Sequence, residues 1–483
     1  MGKPFYITTT LPYVNADPHI GFALEIVQAD IIARYRALLG DEVFFNTGTD
    51  EHGIKIYRKA QEEKKDPQAY VDEYAAKFRN LKEKLNLFPD LHFIRTTDEH
   101  HKRAAQYFWL RCMAAGDIYK KNYQVKYCVG CELEKTDSEL VNGRCSLHPT
   151  LDIELINEEN YFFRFSKYQI PLLDLYARRP DLVVPDFRFN EIKAFVAQGL
   201  EDFSISRLKS KMPWGVPVPD DDTQVMYVWF DALINYISTL GWPENEPEFE
   251  RFWGIIPSPK ALQMAGKDNV RQQAAMWQAM LISADLPSTR QIVIHGFITS
   301  GGKKMSKSLG NVIDPYAIVD EYGVDALRLF LARHIHPFED SDFTLAKFKE
   351  SYNADLANGL GNLASRLLTL AEAHLEKPIE KPEPVPEDFP AVYTSAFDRY
   401  DYNAACDYVW KLIGELDKEL TDTKPFAIVK EDPAKGKAMI AAMTARLYVI
   451  ARLLQPIIPA TSNAIKQAIL ANKKPVNLFP RKE

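Results

Sequence analysis

Apolar positions along the chain follow two different periods. Ile20, Leu24, Val27, Ile31, Tyr35 and Leu38 recur at helical spacing and stop at Gly40, which predicts a helix closed by glycine. Asp17 and Pro18 stand where an N-cap and a first helical residue are expected. Just before them, Phe5-Tyr6-Ile7-Thr8-Thr9 is β-branched and aromatic, as in a buried strand, and Glu42–Thr47 reads as a second strand. Strands and helices alternate in this way over residues 1–116, which points to an α/β region with a parallel sheet covered on both faces. Over 117–226 the pattern changes to short alternating segments such as Asn160-Tyr161-Phe162-Phe163-Arg164-Phe165, read as a β-rich insertion. Strand and helix alternation resumes over 227–315. A linking segment at 316–350 leads into a helical region at 351–483, interrupted by a Lys/Glu/Pro loop around 377–384.

Length, charge and cysteine content narrow the classes. A chain of 483 residues accommodates roughly two to four domains. No run of about 18 apolar residues is present, so no membrane-spanning helix is indicated. The N-terminus enters a strand at once, leaving no signal peptide and favouring a cytoplasmic protein. With a net charge of −7, any nucleic-acid surface must be a local patch. Three of the five cysteines cluster beside a histidine as Cys128-x2-Cys131-x13-Cys145-x2-His148. That spacing suits one tetrahedral Zn²⁺ in a closed, structural site. Cys112 and Cys406 lie in helical segments and read as core residues.

Two distant elements suit a phosphate. The apolar run 292–298 is followed by Gly302-Lys303-Lys304-Met305-Ser306-Lys307-Ser308-Leu309-Gly310-Asn311, a glycine-bent loop offering lysine charge and serine donors. At the other end of the chain, His19 and Gly21 fall on the first turn of the first predicted helix, whose N–H groups favour an anion.

Together these elements resemble the paired "HIGH" and "KMSKS" signatures of class I aminoacyl-tRNA synthetases. Further segments make the chain similar to the methionyl-tRNA synthetase family: Leu11-Pro12-Tyr13-Val14-Asn15, Thr47-Gly48-Thr49-Asp50-Glu51-His52-Gly53, Ser204-Ile205-Ser206-Arg207, Trp214-Gly215-Val216-Pro217, Tyr227-Val228-Trp229-Phe230-Asp231-Ala232 and Gly266-Lys267-Asp268. The resemblance implies a Rossmann-like parallel sheet split by the zinc-binding insertion and followed by an α-helical bundle. It implies ATP-dependent activation of methionine and its transfer to the 3′ end of tRNA(Met), with Mg²⁺ accompanying ATP. It places His19, Gly21, Asp268, Ile298 and Lys307 at ATP, and His19, Lys304 and Lys307 in catalysis. Leu11, Tyr13, Asp50, Trp229, Leu233, Tyr236 and Gln273 would hold methionine, Asp50 pairing its ammonium. Asn362, Arg366 and Phe426 would meet the anticodon. Trp229 and Tyr236, seven apart, would share a helix face. The chain stops without the C-terminal appendage of some relatives, which favours a monomer.

Two departures from the family pattern stand out. Phe22 replaces the second signature histidine, so an imidazole donor to the phosphates is absent and adenylation is expected to be slower. Gln272 and Gln273 replace an aromatic and a histidine near the methionine side chain. They leave open a class I synthetase with altered amino-acid choice, just as Phe22 leaves open a catalytically retired synthetase that binds RNA.

Overall fold

A computed structural model of the chain describes residues 2–131, 133–135, 137–305, 311–382 and 389–483. Six strands form the central sheet: β1 (Pro4–Thr8), β2 (Glu42–Thr49), β3 (His92–Arg95), β4 (Val183–Val184), β5 (Leu262–Gly266) and β6 (Gln291–His295). Their order is β3-β2-β1-β5-β6-β4, and every neighbouring pair is parallel. The strand residues are apolar on both sides because both faces are covered. Ile7, Phe45, Met264 and Val293 point to one core, whereas Tyr6, Phe44, Ala265 and Ile294 point to the other. The first core is closed by α1 (Ile20–Leu38) and the second by α2 (Glu99–Ala114), which contributes Phe108, Trp109 and Cys112.

The sheet reverses its build direction at β1. The chain first adds β2 and β3 on one side, and β5 and β6 later extend the other side. In open parallel sheets such a switch leaves a crevice beyond the carboxyl ends of the two adjacent strands, here β1 and β5.

The segment 117–226 is antiparallel where it leaves the sheet. Ile118–Cys128 and Glu154–Phe163 pair from Ile118 opposite Phe163 to Tyr127 opposite Glu154. The same segment also returns Val183–Val184 to the main sheet as edge strand β4. Beyond it, α3 (Val324–Arg333), α4 (Asn362–His374), α5 (Tyr402–Thr423), α6 (Pro425–Glu431), α7 (Pro433–Leu453) and α8 (Pro459–Ala471) make up the helical end. Cys406 is buried there in α5. Among the described residues no helix is long and apolar enough to cross a membrane.

Three local expectations are corrected. The N-cap of α1 is His19 rather than Asp17: His19 is extended, its ring accepts from Gly21 N–H, and Asp17 instead pairs with Lys77. Trp229 and Tyr236 do not share one helix. Val228–Ala232 and Asn235–Ser238 are separate short helices joined by a turn. The apolar run 292–298 is two strands, because the backbone passes so close to Glu339 at Gly296 that a Cβ there would lie 2.2 Å from the Glu339 carbonyl carbon. After this pinch, Ile298–Ser300 joins a small sheet with Lys303–Lys304 and Ser341–Asp342.

One buried cation ties the helical end to the sheet domain. Arg328 of α3 is fully buried and pairs with Asp30 of α1 at 2.6 Å. Its remaining donors reach the carbonyls of Leu85, Pro456 and Ile457. Removing one partner of such a pair strands the other charge in the interior. Arg328→Ala should therefore cost about 3–5 kcal/mol, read as a lowered urea midpoint. An unchanged midpoint would show that the pair does not hold the two parts together.

Candidate active site

The crevice beyond β1 and β5 collects residues from both halves of the chain. Thr10, just past β1, gives its backbone N–H and its hydroxyl to Glu25 Oε1 of α1, at 2.7 and 2.6 Å. The other carboxylate oxygen of Glu25 meets His295 Nε2 at 2.8 Å, and His295 Nδ1 faces the Gly296 carbonyl at 2.7 Å. Both ring nitrogens thus face acceptors, which calls for the imidazolium. Burial lowers the His295 pKa, but Glu25 and the Gly296 carbonyl outweigh it and the net shift is upward. Asp268 sits in the turn that follows β5, with one carboxylate oxygen 3.0 Å from where a Gly266 Cβ would stand.

The first turn of α1 meets the lysine loop from both of its ends. A Cβ on Gly21 would lie 2.9 Å from the His19 ring and 3.8 Å from the Met305 methyl. The chain returns past the loop so that the Ile313 carbonyl accepts from Ile20 N–H at 3.1 Å. Ile298 is buried at the start of its strand. Lys304 ends the strand Lys303–Lys304, where its backbone alone is described, and Lys307 lies outside the described residues. The N–H groups expected to be open at the helix start are engaged: Ile20 with Ile313, Gly21 with the His19 ring, and Phe22 and Ala23 with the His19 carbonyl. Phe22 turns its ring edge-on to Phe78, with centroids 5.4 Å apart.

A second group lies past β2. Asp50 bridges Tyr13 through the backbone, with Val14 N–H donating to the Asp50 carbonyl and Asp50 N–H to that of Pro12. Tyr13 meets Trp229 edge-on with centroids 6.4 Å apart. Tyr236 and Leu233 are buried, and the Tyr236 hydroxyl accepts from Gln273 Nε2 at 2.6 Å. Gln272 and Gln273 lie in a π-helical turn, a form often found at functional sites. Leu11 is half-buried between Thr10 and this group.

The loop carrying Asp50 is held on both flanks. Glu51 is fully buried against Arg95, Thr49 and Thr97. His52 Nδ1 meets Asp231 Oδ2 at 2.6 Å, and His101 Nε2 meets Oδ1 at 2.8 Å. The sequence reading missed this network, Glu25 and His295. Glu25 was legible as a carboxylate in the middle of an apolar helix. Burial raises the Asp231 pKa, but His52 and His101 outweigh it and bring it down to about 2.

The four sulfur and nitrogen donors converge as their spacing implied. Cys128, Cys131, Cys145 and His148 place their ligand atoms within 4.8 Å of one another. A Cβ at Gly130 would lie 2.5 Å from the His148 ring, so glycine is needed for the knuckle to close around the imidazole. The donor set and its closeness fit a metal ion.

At the helical end, Asn362 and Arg366 lie on α4. Arg366 pairs with Asp417 at 2.6 Å and donates to Thr421 on α5. Lys424, left-handed at φ 47°, and Pro425 break α5 from α6, on which Phe426 is 45% exposed.

Comparison with known proteins agrees with this arrangement. The family model described as tRNA synthetases class I (M) matches residues 5–149 and 130–368. A methionine–tRNA ligase of Thermotoga maritima is 39% identical, the match spanning 98% of this chain and 76% of the relative. One of Nostoc sp. is 40% identical over 97% of this chain and 90% of its own length. The Mycobacterium tuberculosis methionyl-tRNA synthetase in complex with methionyl-adenylate superposes with a TM-score of 0.88 at 34% identity, covering 100% of this chain and 99% of that one.

The Asp231 network yields a pH signature. Its folded pKa of about 2 lies below the ordinary aspartate value of about 3.9, so its stabilisation is present above that value and is lost as pH falls toward 2. The urea-midpoint gap between the wild type and Asp231→Asn should be full at pH 5 and shrink across that window. A gap that stays constant would remove the carboxylate from this role.

Proposed function

The chain belongs to the methionyl-tRNA synthetase family of class I tRNA synthetases, and we propose that it performs that family's two steps with the residues described above. First, a carboxylate oxygen of methionine attacks the α-phosphorus of ATP, the bond to the β-phosphate oxygen breaks, and pyrophosphate leaves. The 3′-terminal hydroxyl of tRNA then attacks the acyl carbon, AMP leaves, and the hydroxyl proton passes to the departing phosphate. Neither step needs a protein nucleophile. What the protein supplies is placement and neutralisation of the charge that grows on the phosphates.

The observation that carries this reading is that the chain on both sides of the lysine loop comes to the first turn of α1, Met305 lying beside Gly21 and the Ile313 carbonyl accepting from Ile20 N–H. It supports a triphosphate held between His19 and the loop lysines, Lys304 and Lys307. Adenine lies against Gly21 and the backbone at Ile298, and Asp268 meets the ribose. Asp50 pairs with the ammonium of methionine. Leu11, Tyr13, Trp229, Leu233 and Tyr236 form the slot for its side chain, with Gln273 at the end. Mg²⁺ enters with the nucleotide. Cys128, Cys131, Cys145 and His148 hold one structural zinc, and Asn362, Arg366 and Phe426 receive the anticodon of tRNA(Met), Phe426 by stacking. The sheet with its insertion, residues 1–315, is the catalytic unit, 316–350 links it onward, and 351–483 is the anticodon-binding unit of a monomeric, cytoplasmic enzyme.

Pyrophosphate exchange over a panel of amino acids tests the reading. Methionine should support exchange at least tenfold faster than any other. Faster exchange with another amino acid would trace to Gln272 and Gln273, and none with any would leave an RNA-binding protein. The metal has its own test: purified protein should carry one equivalent of zinc, lost in Cys128→Ser together with protease resistance around residues 117–150. A metal-free but protease-resistant wild type would contradict the assignment.

A further inference from the structure

A series of hydrogen-bonded side chains runs through the core and ends on the Tyr236 hydroxyl. Gln263 stands on β5, Thr289 just before β6, Gln273 in the π-helical turn and Gln278 one turn beyond it. All of them are buried. Each donor and acceptor is therefore costly to leave unmatched.

The direction of the series is fixed at one point. The Thr289 backbone N–H can only donate, and it meets Gln278 Oε1 at 3.0 Å. That orients the Gln278 amide, whose Nε2 donates to Thr289 Oγ1 and to the Gln273 carbonyl, both at 2.9 Å. Thr289 Oγ1 is thus an acceptor from Gln278, and its own proton goes to Gln263 Oε1. Gln263 then turns Nε2 to Gln273 Oε1 at 3.3 Å, and Gln273 turns Nε2 to the Tyr236 hydroxyl oxygen at 2.6 Å. An amide has one donor end and one acceptor end, so no link reverses alone.

The Tyr236 oxygen accepts, so the phenol sends its own proton elsewhere. Among the described residues none takes that proton in a hydrogen bond, although the side chain is 2% exposed. Burial raises the phenol pKa, the Gln273 bond offsets only part of the rise, and the proton stays on. A buried donor with no protein acceptor calls for an acceptor on a ligand. Gln273 stands where the family pattern has a histidine, whose ring nitrogens can gain or lose a proton; an amide cannot. We propose that Gln263, Gln278 and Thr289, which lie outside the slot, are positioning residues for substrate choice: through Gln273 they fix Tyr236 as a donor toward the amino-acid side chain. The slot then favours a thioether over its all-carbon isostere. The proposal rests on the synthetase reading above.

Pyrophosphate exchange on the full-length protein, with methionine and with norleucine (a methylene in place of sulfur), tests it. Wild type should favour methionine in kcat/KM by about tenfold or more. Thr289→Val keeps the shape and removes the hydroxyl, and should cut that preference roughly fivefold, chiefly through methionine. Gln263→Leu should do the same, whereas Thr289→Ser should keep the wild-type preference. Tyr236→Phe should lose the preference, and adding Thr289→Val to it should change the ratio no further, because the series acts through that hydroxyl. An unchanged preference in both Thr289→Val and Gln263→Leu would overturn the assignment. So would an equal loss with both amino acids, which marks a packing role, or a wild type that takes norleucine as readily as methionine. Wild-type exchange with no amino acid at all would defeat the synthetase reading, and this proposal with it.

Discussion

Two carboxylates are buried on α1, and each is matched by a cation from the far half of the chain. Glu25 meets His295, 270 positions away, and Asp30 meets Arg328, 298 positions away. A buried carboxylate without such a partner would be costly enough to unmake the helix. Asp30 also pairs with Arg34 on the same helix at 2.7 Å, and Glu25 also accepts twice from Thr10, so β6 and α3 complete a set of partners that the first half of the chain begins. The same contacts set the crevice: Glu25 holds Thr10 at the end of β1, and His295 ends β6 beside the turn of Asp268. The residues around the crevice and the seating of the helical end both depend on one helix carrying two charges.

Where a feature has a strong period or a metal spacing, it was readable before the structure. The apolar repeat of α1, the alternation over the first 116 residues and the Cys/His spacing each encode a local geometry that few other folds satisfy. What could not be read depends on contacts distant in sequence. Val183–Val184 is too short to announce itself as a strand and becomes one through β6. The break between Trp229 and Tyr236 is a turn inside a helical pattern, invisible to spacing alone. The N-cap shifted from Asp17 to His19 because Asp17 is drawn to Lys77 while Ile313 ties down the first helical N–H. For the site, the resemblance named residues, and the structure adds what holds them, such as the Asp231 network behind Asp50.

The metal knuckle is more than a staple at the edge of the insertion. Gly130, between its first two cysteines, accepts from Lys55, whose ammonium also lies over the Tyr13 ring. Tyr127, just before Cys128, packs in the cluster that backs Trp229. A closed tetrahedral site fixes the turn between its ligands, so under the proposed function loss of a metal held there would loosen the roof of the methionine slot. A structural metal would in that way bear on the reaction without touching substrate.

The cap at the start of α1 also bears on the loss of the second signature histidine. His19 Nδ1 accepts from Gly21 N–H, so this nitrogen is unprotonated and the neutral ring carries its proton on Nε2. Under the proposed function, Nε2 is then the donor turned to the phosphates, and the cap is what sets the tautomer. Phe22 cannot add to it, because its ring is spent in packing on Phe78. The first-turn N–H groups cannot add to it either, since each is already engaged. Under the same proposal this side offers one neutral imidazole donor, and the charge to offset the phosphates would come from the lysines of the loop, which would make the enzyme more dependent on that loop than a relative with two histidines.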